Sequence, residues 1–197
     1  MADFAKKIGL KGDDIDRFRK MQLLSADAVL RGQLTTLRVP LNIWWARDQY
    51  IEAVDLSAFL KGGKKEEALQ EKAEAVEMWK QIEALARELN VPDKPTQDFI
   101  RSSATYGRIK YAIFEQAWTI LLLGREGDDT GTFDKERLAK AIRTYDQLWA
   151  EWRELAKTEP TLSTLATDRG FKGGPGIGVA VDKCRKIVGV EKPSATR

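Results

Sequence analysis

The sequence predicts an all-α fold, a bundle or short array of long antiparallel helices built from two similar αα-hairpins. Three observations point there. Apolar residues recur at steps of three and four through most of the chain, while the alternation expected of half-buried strands is almost absent. Prolines and glycine pairs, such as Gly62-Gly63, Pro92 and Pro160, fall between long periodic segments rather than inside them. Charges alternate in sign, as in Lys64-Lys65-Glu66-Glu67 and from Glu151 to Glu154, which is the pattern of a solvated helix face.

The elements follow in order. Asp13 to Leu37 predicts one or two helices, with Ser25 able to cap a second start. Pro40 opens a helix from Leu41 to Leu60, which ends at Lys61-Gly62-Gly63. A charged helix spans Lys64 to Asn90 and stops at Val91-Pro92. Thr96 is placed to cap the next helix, which reaches Leu123 and ends at Gly124. The stretch REGDDTGT reads as a loop leading to Thr132, the cap of a helix from Phe133 to Thr158 that Pro160 stops. A Thr/Ser-rich turn, a Gly-rich loop and a short helix from Ile177 to Val188 close the sequence.

Residues 1–197 fit a single helical domain, since 22.2 kDa is ample for one hydrophobic core. Its parts are an N-terminal helical segment (1–40), a first αα-hairpin (41–92), a second (96–160), and a Gly-rich tail with a short helix (161–197). The two hairpins echo each other. LNIWWARDQYIEAVDLSAFLKGG is matched by RIKYAIFEQAWTILLLGREG, and MWKQIEALA (78–86) by LWAEWRELA (148–156), which pairs Trp79 with Trp149 and Leu85 with Leu155.

Composition narrows the function classes. A net charge of +3 with both signs interspersed lacks the one-sided basic face of a nucleic-acid binder. Histidine is absent, which excludes Ser-His-Asp and Cys-His catalysis and imidazole metal sites. Cys184 stands alone, so neither an intramolecular disulfide nor a cysteine cluster forms. It is expected to pack as a small apolar residue, a reactive thiol being the alternative. No motif asks for a cofactor or a metal. GFKGGPGIG (170–178) lacks the Lys-Ser/Thr pair of a phosphate loop and reads as a connector that lets Ile177, Val181, Cys184 and Val188 dock. GDDTGTFD (127–134) lacks calcium-loop spacing, because the sixth and twelfth positions from Asp128 are Phe133 and Ala139. The start MADFAKKIGL has no signal-peptide pattern, and Ile113 to Leu123, the most apolar run, carries Glu115 and Gln116 and is too short to span a bilayer. A soluble chain without membrane or nucleic-acid partners is expected.

Three stretches hold the candidate chemistry. In YDQLWAEW (145–152), Tyr145, Trp149 and Trp152 lie at steps of four and three on one face, expected as core, with a binding platform as the alternative. In LNIWWARDQYIEAVD (41–55), Trp44 and Trp45 point about 100° apart on a helix. Asp48, Glu52 and Asp55 form an acidic stripe beside Arg47. Indole faces stack on sugar rings while carboxylates and guanidinium bond the hydroxyls, so this segment suits a carbohydrate. The alternative is a central bundle helix with one solvated side. Glu115, inside YAIFEQAWTILLL, needs a partner such as Arg47 or Arg108, or else a raised pKa. It reads as a buried contact between helices, or as a catalytic acid working with Asp48 or Glu52.

Several of these pieces together resemble the helical C-terminal accessory region of large bacterial glycoside hydrolases. They are WWARD (44–48), EALQEKAEAVEMW (67–79), YGRIKYAIFEQAW (106–118), the GDDTGTFD loop, YDQLWAEWRELAKTEPTLSTLATD (145–168) and the closing GGPGIGVAVDKCR (173–185). In such enzymes the catalytic carboxylates lie in a separate barrel domain. The resemblance therefore implies an accessory helical module bordering a polysaccharide cleft. The expected function is a non-catalytic helical binding or scaffolding module, carbohydrate-associated in its most specific form. Trp44, Trp45, Arg47 and Asp48 would make the contact surface, with Tyr106, Glu115 and Trp118 added from the other hairpin. The expected partner is an oligo- or polysaccharide, or else a protein or a neighbouring domain of a parent chain. The alternatives are a protein-interaction adaptor and a carboxylate-based hydrolase.

Overall fold

The computed structural model describes residues 2–32, 56–158 and 177–193, and every element among them is a helix. In chain order these are α1 (Ala2–Lys7), α2 (Asp13–Gly32), α3 (Leu56–Lys61), α4 (Lys65–Glu88), α5 (Lys94–Thr130), α6 (Lys135–Thr158) and α7 (Ile177–Val188). The 37 residues of α5 make it about 55 Å long. It is the spine on which α4, α6 and α7 pack.

Ion pairs across the seams give the directions. Arg17 meets Glu88 at 3.6 Å and Arg31 meets Glu74 at 2.5 Å, so α2 runs antiparallel to α4. Lys65–Glu126 at 2.8 Å and Glu83–Arg108 at 3.0 Å set α4 antiparallel to α5. Arg108 also pairs with Glu151, and the short link from Gly131 to Asp134 turns α5 back into α6. The all-α packing of long antiparallel helices is therefore as the sequence predicts. The first hairpin (41–92) is described only from Leu56 onward, so the likeness of its first helix to that of the second hairpin lies outside the described residues.

Two apolar clusters lie inside. The larger joins Ala75 and Val76 of α4, Phe114 to Leu123 of α5, Leu138 and Ile142 of α6, and Ile177 and Val181 of α7. The smaller closes one end with Phe18 and Met21 of α2, Ile82 and Ala86 of α4, Leu89, Val91 and Ala104. Tyr145, Trp149 and Trp152 are core, as expected from their spacing. Their rings meet edge to face, with centroids 6.1 and 5.4 Å apart, and burial pushes the Tyr145 phenol up to about 12. Cys184 is buried with Ile177 and Val181, and burial raises its thiol pKa too.

Several boundaries move. Ser25 starts no second helix, because α2 runs unbroken past it. Asp93, not Thr96, caps α5: its carboxylate accepts from the Thr96 amide at 2.9 Å, which starts the helix at Lys94 and leaves Pro95 in its first turn. The helix does not stop at Gly124 but continues to Thr130. Gly124 and Gly127 sit inside it because nothing larger fits. A Cβ at Gly124 would lie 2.7 Å from the Cys184 sulfur, and one at Gly127 would lie 2.1 Å from the Phe133 ring. The real terminator is Gly131, at φ 73°, whose amide reaches the Gly127 carbonyl at 2.8 Å. Asp134 rather than Thr132 begins α6, accepting from the Arg137 amide at 3.0 Å. Among the described residues no helix is long and apolar enough to cross a membrane.

Candidate functional site

Trp44, Trp45, Arg47 and Asp48, with Glu52 and Asp55, lie outside the described residues. The other expected site residues, Tyr106, Glu115 and Trp118, are all on α5. Helical geometry separates them. The step of nine residues from Tyr106 to Glu115 amounts to about 180° of rotation and about 13 Å of rise, so the two side chains leave opposite sides of the helix. Glu115 and Trp118 are three apart and adjacent. Trp118 is only 2% exposed, and the Lys72 ammonium lies 4.8 Å from its ring centroid. Its indole is thus enclosed by core and covered by a cation. Tyr106 is half-buried against the larger cluster. These side chains of α5 do not form one continuous contact face.

Glu115 itself is half-buried, and desolvation raises its carboxyl pKa. Gln116 donates to its Oε2 at 3.2 Å, and the charges it feels are Lys80 and Glu77 of α4. Arg108, a partner suggested by the sequence, is engaged elsewhere. Its Nε donates to Glu83 Oε2 at 3.0 Å, and its other end pairs with Glu151. About two helical turns separate it from Glu115, beyond reach of a direct pair.

A cluster around Glu83 is one that sequence reasoning misses. Its carboxylate accepts from Arg108, from the Thr105 hydroxyl at 2.7 Å and from Arg87 at 3.1 Å, so three donors from two helices converge on it. A carboxylate so saturated tethers α4 to α5 and, through Arg108, to α6. The signal lies in the sequence as an acid between Ile82 and Ala86 and an arginine between Gly107 and Ile109, both on otherwise apolar faces. A second tether is missed in the same way. Asp146 of α6 takes both terminal nitrogens of buried Arg185 at 2.8 Å, and the same guanidinium reaches the Glu191 carbonyl at 3.2 Å. Buried Lys72 donates to the Arg31 carbonyl at 2.5 Å, at the negative end of α2.

These groups are arranged to join helices. Among the described residues no group of three or more His, Cys, Asp or Glu side chains is placed to hold a metal ion. Compared with protein-family models, with curated protein sequences and with solved structures, the chain matches none of them.

Proposed function

We propose that the chain is a non-catalytic helical binding or scaffolding module, with carbohydrate association as its most specific form. The observation that carries this is the state of Glu115. An ionised carboxylate accepts up to about four hydrogen bonds, and among the described residues this half-buried one takes a single bond, from its own neighbour Gln116. Buried Glu83 and half-buried Asp146, by contrast, are each engaged by arginine. Glu115 has acceptor capacity left in a partly desolvated place, which sugar hydroxyls would use. WWARD (44–48) would add stacking from Trp44 and Trp45 and polar contacts from Arg47 and Asp48.

Intrinsic fluorescence tests it cleanly. Of the six tryptophans, Trp118, Trp149 and Trp152 are buried and Trp79 is packed between the two clusters, so under this proposal the ligand-induced shift is expected from Trp44 and Trp45. Titration with a panel of soluble plant and microbial oligosaccharides should give a saturable shift for one glycan class. That shift should vanish in Trp44→Ala/Trp45→Ala and weaken in Glu115→Gln, with the helical circular dichroism kept. A flat response across the panel removes the carbohydrate form of the proposal.

A protein-interaction adaptor is the second reading. Leu23 and Leu30, seven residues apart on one face of α2, are 54% and 45% exposed. Sedimentation that changes with concentration and is abolished by Leu23→Lys/Leu30→Lys would favour it over a glycan role.

A further inference from the structure

Helix α7 is seated like a ligand. At 12 residues it is no longer than the shortest helices that persist alone in water, so the bundle holds it in shape. Ile177, Val181 and Cys184 are buried, with Val188 partly buried beyond them. The steps are i, i+4, i+7 and i+11, by which an amphipathic helix fills a groove. That groove is made by α5 and α6. On its α5 wall, bare Gly124 leaves room for the Cys184 sulfur, which lies 3.9 Å from the Ile120 carbonyl. On its α6 wall, Asp146 grips Arg185 through both carboxylate oxygens and fixes the register. Lys183 and Asp128 pair at 2.5 Å on the rim.

We propose that α7 is a releasable occupant of this groove. It leaves as a unit while α2, α4, α5 and α6 stay packed, and the vacated groove takes the α7 of a second copy, giving a swapped dimer. Release is set by the small share of the core that α7 contributes, since elements with few buried apolar anchors open below the global transition. The occupant is a second copy because its α7 brings the same small side chain to Gly124 and the same arginine to Asp146, with no new contact required. The proposal does not rest on the carbohydrate reading.

A charge exchange tests it in the full chain. Asp146→Arg sets two arginines against each other in one seat, and Arg185→Asp sets two aspartates against each other. Alone, each variant should expose Cys184 to a thiol reagent on the order of a hundredfold faster than wild type, as breaking a buried pair requires. In a mixture, the α7 of the Arg185→Asp chain enters the groove of the Asp146→Arg chain, where aspartate and arginine meet with their sides exchanged. The opposite seat then holds the native pair of Arg185 and Asp146. A heterodimer of twice the mass with slowed Cys184 labelling is expected. A mixture that stays as separate chains and labels as fast as its components overturns the swap.

Should either variant fail to fold, wild type and Gly124→Ala keep the question decidable. Wild-type labelling should depend less on denaturant than global unfolding does. Gly124→Ala should label faster by more than any lowering of its unfolding midpoint accounts for, since its methyl displaces the Cys184 sulfur from the α5 wall. Labelling that tracks global unfolding in both proteins overturns the release.

Discussion

At the residue scale, two glycines show how one residue type answers different demands. A Cβ at Gly107 would sit 2.0 Å from the Trp79 ring, which is itself stacked on Tyr111 with centroids 5.3 Å apart. Gly131 has open space around it but a φ of 73°. Gly107→Ala gains up to about 1 kcal/mol of helix propensity and meets an overpacking cost of about 1–3 kcal/mol, so a net loss is expected. Gly131→Ala should lose about 1 kcal/mol through the backbone alone, and asparagine there should recover part of it. Urea midpoints of the alanine and asparagine variants separate the causes: recovery by asparagine at 131 and none at 107. Glu115 makes the opposite prediction. Burial raises its folded pKa, so it contributes no penalty at low pH, and its cost appears as pH rises through the folded value. Glu115→Gln should therefore melt higher than wild type at pH 7, with the gap closing at about pH 4, where the unfolded carboxyl also holds its proton.

The elements are legible where periodicity decides, and less so at their ends. The apolar faces of α4, α5, α6 and α7 follow from the sequence, because burying a stripe at steps of three and four leaves few other solutions. The end of α5 does not. Gly124 and Gly127 carry the usual stop signal, but their reason for being glycine is tertiary: Cys184 and Phe133 occupy the places a side chain would need. Propensity alone cannot see a neighbour that arrives from 60 residues away in the sequence, as Cys184 does at Gly124. The candidate site is legible only in part for the same reason. Glu115 stands out in the sequence as an acid in apolar company, yet Arg108 is drawn away by Glu83 and Glu151, and Trp118 is taken into the core. The N-terminus of α5 yields a prediction at this scale. Hydrogen bonds from Thr96 hold the Asp93 carboxyl below its usual range, so its support is present above about pH 4 and fades as pH falls through the folded value. Asp93→Ala should melt lower than wild type at pH 7 while Asp93→Asn, which can still cap, should not. The gap between the alanine variant and wild type should narrow as pH falls through the folded value, because the charge-dependent part of the cap is lost.

For the whole molecule the question is what makes two apolar clusters behave as one. Trp79 packs against both, and its ring lies over Gly107 and Tyr111 at the level where the smaller cluster gives way to the larger. The polar ties at this level act in the same direction: Glu83 and Arg108 pin α4 to α5, and Glu151 extends the tie to α6. Cooperative unfolding needs each part to lose stability when the other opens, and a large ring shared between both cores supplies that coupling. Trp79→Ala should cost about 3 kcal/mol, a large share of the roughly 5–15 kcal/mol typical of a domain. Its more specific consequence is on cooperativity. In wild type, the calorimetric and van't Hoff enthalpies should agree. In Trp79→Ala the end containing α1, Phe18, Met21 and Leu89 should melt first, giving a van't Hoff enthalpy below the calorimetric one and early loss of amide protection in α2. Trp79→Phe, which keeps an aromatic ring over Tyr111, should restore a single transition. A Trp79→Ala protein that still melts in one step at a lower temperature would place the coupling in the Glu83–Arg108–Glu151 tie instead, and Arg108→Met would then be the variant that divides the molecule.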